Sequence, residues 1–174
     1  GEFFFSSPID PRNIWLDYGR SDDDQRHRVT FDGALRSPSG PAQNAWQHLT
    51  HGFQLSGMLQ YYSALPFNIT SGVTTIQGTA GRPLQNGAFI DRNAGIGNDY
   101  FSINLRASRT FSLSERLRLE AMAEAFNALN HRNNLTRNGN FGAGAYPTNP
   151  SATFGQITSV QDPRVIQLAM RLRF

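Results

Sequence analysis

The sequence predicts an all-β fold, an antiparallel up-and-down meander forming part of a transmembrane β-barrel, and three observations carry that prediction. Apolar and polar residues alternate in twos along several stretches, the period of a strand with one oily and one wet face. No stretch approaches the roughly 18 uninterrupted apolar residues of a membrane-spanning helix. That excludes helical spans, and the mean hydropathy of −0.44 with 39% hydrophobic residues still permits alternating membrane strands. Finally, the connections are lopsided, tight on one side of the meander and long on the other.

Each strand follows from its own alternation. In "RVTFDGALR" (28–36) Val29, Phe31, Gly33 and Leu35 oppose Arg28, Thr30, Asp32, Ala34 and Arg36. In "GFQLSGMLQYY" (52–62) Phe53, Leu55, Gly57, Leu59 and Tyr61 oppose Gln54, Ser56, Met58, Gln60 and Tyr62. In "FSINLRASRTFSL" (101–113) Phe101, Ile103, Leu105, Ala107, Phe111 and Leu113 form the apolar side, and Arg109 is the misfit on it. The segment "ERLRLEAMAEAFNALN" (115–130) has the composition of a helix but the alternation of a strand. Its register matches its neighbours, so a strand over 116–128 is expected. The closing "RVIQLAMRLRF" places Ile166, Leu168, Met170, Leu172 and Phe174 on one face and Gln167, Ala169, Arg171 and Arg173 on the other.

Residues 6–25, 64–100 and 131–162 read as long loops rich in Gly, Asn, Pro and Thr, whereas "SLSER" is a tight link and "SPSGPAQNAW" an intermediate one. Short turns on one side and long loops on the other is the pattern of outer-membrane barrels. A soluble all-β sandwich keeps its connections short at both ends. Alternation alone does not separate the two, so a soluble binding module, of adhesin or carbohydrate-binding type, stands as the alternative. A small hydrolase on a β scaffold stands third.

The chain has no cysteine, and all 16 of its basic residues are arginine. Net charge is +3, yet the arginines are dispersed and the longest charge run is the acidic Asp22-Asp23-Asp24. Nucleic acid is therefore not an expected partner. The start, "GEFFFSSPIDP", has no secretory leader, which is expected of a cytosolic chain or of a mature or internal piece of a longer one.

Catalytic motifs do not occur: there is no G-x-S-x-G, H-E-x-x-H or phosphate loop, and no cofactor is expected. His48 and His51 lie three apart in an expected strand entrance, where their side chains point to opposite faces and read as polar interface residues rather than metal ligands. Asp22, Asp23 and Asp24, with Asp17, are weak calcium candidates that lack the EF-hand spacing.

Four segments carry a family likeness: "DDDQRHRVTFDGAL", "GFQLSGMLQYYSALPFNITSG", "NDYFSINLRASRTFSLSERLRLEAMAEAFNALNHRNN" and "FGQITSVQDPRVIQLAMRLRF". In this order they resemble the C-terminal barrel portion of a TonB-dependent receptor of the Oar-like type, with "EAFNALNHRNN" the most specific part. The resemblance implies an outer-membrane, energy-coupled importer of a bulky nutrient, whose barrel of about 22 strands is plugged by an N-terminal domain. Residues 1–174 are then the C-terminal segment of that barrel, with no plug domain and no coupling box. Only about five or six strands are legible, below the usual minimum of about eight for closure, so a fragment or truncated product is expected.

With the terminal Phe at the periplasmic side, as in that family, the three long loops are extracellular. Trp46 falls near the periplasmic interface, and Tyr61 and Tyr62 near the opposite one. Arg106, Arg116, Arg118, Glu120, Glu124, Arg171 and Arg173 face the lumen, as a charge ladder or as a substrate site. Phe174 resembles the signal by which such barrels are recognised for assembly. The expected partners are outer-membrane lipid, the barrel-assembly machinery through the C-terminal strand, TonB-type coupling through the missing plug, and self-association.

Overall fold

The computed structural model describes residues 8–38, 40, 43–75, 78–114 and 116–174. The opening residues 1–7 and parts of the "SPSGPAQNAW" and "SLSER" links lie outside them. The chain divides into two compact units. One collects 1–27, 62–100 and 133–161, and the other collects 28–61, 101–132 and 162–174.

The second unit is a sheet. Five strands, β1 (Arg28–Arg36), β2 (Phe53–Tyr62), β7 (Tyr100–Ser112), β8 (Arg118–Phe126) and β11 (Val165–Arg173), are hydrogen-bonded in that order. This is the up-and-down order expected, and five strands fall within the expected number. The β7–β8 and β8–β11 pairings are antiparallel and unbroken in register, from Leu105 opposite Ala125 to Ser112 opposite Arg118, and from Val165 opposite Phe126 to Arg173 opposite Arg118. The helix propensity of "LEAMAEA" is overruled, because strand pairing on both sides and a period-two pattern outweigh a preference of a few tenths of a kcal/mol per residue.

One sequence reading fails here. Residues 48–51 are not a strand entrance: Ala45–Thr50 is a short helix, α1, capped by the Asn44 side chain accepting from the Gln47 amide at 2.9 Å. His48 lies in the helix and His51 follows it, so the strand argument about their opposite faces does not hold. Six residues between Gly- and Pro-bearing links offer too few turns for periodicity to report a helix. Gly52 then turns the chain into β2 with φ +79°, and a Cβ there would sit 2.5 Å from the Thr110 carbonyl oxygen, which leaves glycine as the residue that fits.

The "EAFNALNHRNN" segment closes the far end of β8. Asn127 is buried with φ +47°. Its amide N–H donates to the Asn104 side-chain oxygen at 2.9 Å, and its side chain spans to the His131 carbonyl at 2.9 Å and its amide at 3.0 Å. Asn130, also at positive φ, accepts from the Arg164 amide at 3.0 Å with its side-chain oxygen. Asparagine tolerates this left-handed backbone and mimics a turn with its amide.

The first unit, built from the three long loops, has its own short pairings. These are β3 (Pro66–Phe67) with β6 (Gly95–Ile96), β4 (Leu84–Gln85) with β5 (Ala88–Phe89), and β9 (Asn134–Arg137) with β10 (Ile157–Val160). Ile69, Ile90 and Phe141 form its core, with Phe67, Tyr146 and Phe154 packed on it. Phe141 meets Tyr146 and Phe154 edge-on at 5.0 and 5.1 Å between centroids, a favoured aromatic geometry. Gly95 makes room for Phe67, whose ring a Cβ would approach to 2.6 Å.

Candidate functional site

The sheet unit presents two chemically distinct faces, fixed by its register. Leu105, Ala107, Arg109 and Phe111 of β7 share a face with Leu119, Ala121, Ala123 and Ala125 of β8 and with Ile166, Leu168, Met170 and Leu172 of β11. Those large side chains are open: Leu168 and Met170 of β11 are 77% and 79% exposed, and Phe31 and Leu35 of β1 are similarly bare. Among the described residues every buried large apolar side chain (Ile9, Ile69, Ile90, Phe141) belongs to the loop unit. Burying one such side chain contributes about 1.5–3 kcal/mol. Eight or more left in water would forfeit an amount comparable to the whole net stability of a domain, about 5–15 kcal/mol. A face of this kind fits an apolar solvent.

Arg109 is the cation on that face, and the structure explains it. Its guanidinium lies over the rings of Phe53 and Phe111, 4.6 and 4.7 Å from their centroids, and donates to the His48 carbonyl oxygen. The apolar stem and flat head of arginine suit such a stack. Phe111 is its neighbour on β7, but Phe53 and the His48 carbonyl come from β2 and α1, so no sequence pattern reports the full set.

The opposite face carries the charge ladder. Arg106 is opposite Glu124 in the register, with a 3.5 Å ion pair. Glu120 is opposite Arg171 and pairs with it at 3.8 Å, and reaches diagonally to Arg173 at 3.1 Å. Cross-strand pairs of this sort contribute about 0.2–1 kcal/mol each. Of the seven residues expected to face the lumen, six are thus placed on one face. Arg116 instead lies exposed in the β7–β8 turn, and no ion pair among the described residues reaches it. Arg118 is opposite Ser112 on one side and Arg173 on the other.

In the loop unit Asp17, Asp22 and Asp24 are matched by arginines. Asp17 pairs at 3.0 Å with the buried Arg82, which also donates to the Leu16 carbonyl. Asp22 pairs with Arg92 at 2.8 Å and accepts from the buried Asn93 side chain at 2.5 Å. Asp24 lies 3.8 Å from Arg20 and 3.7 Å from Arg26, while the Asp23 amide donates to the Ser21 hydroxyl at 3.3 Å. Among the described residues no three His, Asp or Glu side chains converge as metal ligands. The aspartate run is an anchoring element of the loop unit, and its long-range partners are what sequence reading missed.

No curated protein and no solved structure matches the chain. The family model for the outer membrane beta barrel domain matches residues 2–91 and 88–167, nearly the full length. The all-β meander, its exposed apolar face and its charged opposite face agree with that match, and they set aside the soluble sandwich. The chain belongs to the outer membrane beta barrel domain family and is a protein of the bacterial outer membrane.

Proposed function

We propose that the chain is the C-terminal part of a TonB-dependent, Oar-like importer that takes up a bulky nutrient across the outer membrane. The observation that carries this reading is a sheet unit with a bare apolar face and a charged opposite face, in a chain whose long loops fold into a separate unit with its own core. A lipid-facing wall, a wet lumen and structured loops are the parts a gated importer needs. The "EAFNALNHRNN" likeness supports the finer assignment, since Asn127 and Asn130 of that segment hold the end of β8.

In this reading Phe174, 99% exposed, closes the strand that the barrel-assembly machinery recognises. The long loops face the outside, and TonB-type coupling acts through a plug encoded upstream. β1 and β11, the outer strands of the sheet among the described residues, pair with further strands of the parent barrel or with a second copy. The ladder of Arg106, Glu124, Glu120 and Arg171 is self-neutralising and serves the wall rather than a substrate. The hydrolase reading has no nucleophile motif in the sequence to support it.

The gene tests the importer reading. A reading frame continuous with Gly1 that encodes a plug domain and a coupling box is expected upstream. An upstream region with no such frame contradicts energy-coupled import and leaves the outer-membrane barrel assignment standing.

A further inference from the structure

A cavity of about 880 Å³ lies within the sheet unit, around the strand ends next to α1. Its lining includes Arg36, Arg109, Arg118 and Arg173 with His48 and His51, and among the described residues lining it the only carboxylate is Glu120. That carboxylate is already shared between Arg171 and Arg173. Arg118 and Arg173 stand directly opposite each other in the β8–β11 register. Like charges directly opposed on one sheet face are destabilising, and an aspartate or glutamate at either position would relieve them. Neither Arg118 nor Arg36 has an ion-pair partner among the described residues. Arg109, on the other face of β7, is held by its aromatic stack and the His48 carbonyl and takes no part in this cluster.

We infer that this cavity is a binding site for a phosphoryl group, held by Arg118 and Arg173. The planar fork of a guanidinium group matches the oxygens of a phosphate bidentately, and two arginines at directly opposed positions can supply two such forks. An anion between them turns a repulsive pair into two charge-assisted contacts. Ser108, Thr110 and Ser112 of β7 add hydroxyl donors on the same lining. Phosphate-selective pores use arginine in this way, and the inference does not depend on energy-coupled import. The phosphoryl group belongs either to a soluble phosphate ligand or to a phospholipid headgroup, and the two sources share this chemistry.

The full chain, refolded in neutral detergent micelles at low ionic strength, is titrated calorimetrically with inorganic phosphate. In a second arm the micelles contain phosphatidylglycerol. Saturable binding is expected in at least one arm, weakened about tenfold or more by Arg118→Ala or Arg173→Ala. Arg106→Ala, which removes the ion pair with Glu124 outside the cavity, leaves it unchanged. Binding of free phosphate identifies a soluble ligand, and binding of the lipid alone identifies a headgroup. Arg118→Gln, of similar length and uncharged, gives the same reading should an alanine variant lose the sheet's circular dichroism. No saturable binding in either arm overturns the inference. So does a folded Arg118→Gln/Arg173→Gln variant that binds as the unaltered chain does.

Discussion

The loop unit and the sheet unit solve opposite solvation problems within one chain. In the loop unit the apolar residues Ile69, Ile90 and Phe141 are inside, the arginines meet aspartates, and short pairings hold the backbone. In the sheet unit the large apolar residues are outside and the charges lie on the opposite face, paired across strands. The first arrangement is that of a small water-soluble domain. The second is stable where one side meets lipid and the other meets water. The difference teaches that exposure of apolar area has to be read element by element: averaged over the chain, it would look like a poorly packed soluble protein.

Several substitutions break or sharpen this contrast, and the largest expected effect is in the loop core. Phe141→Ala should cost about 3–5 kcal/mol, because a 2% exposed ring leaves a cavity. Hydrogen exchange should show lost protection for amides of 62–100 and 133–161 while β7 and β8 stay protected. Uniform loss across both units would mean that they do not fold separately. Next, Leu168→Arg should destabilise the chain in a bilayer by about 2–4 kcal/mol and leave it unharmed, or more soluble, in water. Denaturant titration from lipid vesicles reads the first effect, and a sheet that tolerates the arginine equally in vesicles would not be facing lipid.

Asn127→Ala should cost about 1–3 kcal/mol, since it strands buried partners at the end of β8 and places alanine at positive φ. Asn127→Gly should recover the backbone part of that loss but not the hydrogen bonds. A thermal melt of the three proteins in detergent separates the two contributions. The smallest effect belongs to the ladder. Glu120→Gln should cost about 0–1 kcal/mol, since the Arg171 and Arg173 side chains it pairs with are more than half exposed. A larger loss, measured in the same way, would mean that the ladder rather than lipid contact holds the sheet.

What was legible in the sequence is local and periodic. Alternation located all five sheet strands to within a few residues, including β8, whose composition argued for a helix. The strict register then made Arg106 and Glu124 partners, and Glu120 and Arg171. What was not legible is non-local. The loop unit joins three segments that share no pattern, through pairs such as Asp17 with Arg82 and Asp22 with Arg92, some 65 and 70 residues apart. Arg109 looked like an error of patterning until Phe53, Phe111 and the His48 carbonyl were brought around it. The α1 helix was too short to print a period, and it turns His48 and His51 from expected strand residues into part of a cavity lining.

The central claim is that one face of the sheet meets lipid. The chain's lack of cysteine allows single cysteines at each of residues 166–172 of β11 to be spin-labelled in turn. Collision rates with oxygen and with a water-soluble nickel chelate can then be measured in vesicles. Oxygen accessibility should peak at 166, 168, 170 and 172 and nickel accessibility at 167, 169 and 171, an oscillation of period two. Equal access of nickel to both sets would contradict a lipid-facing wall.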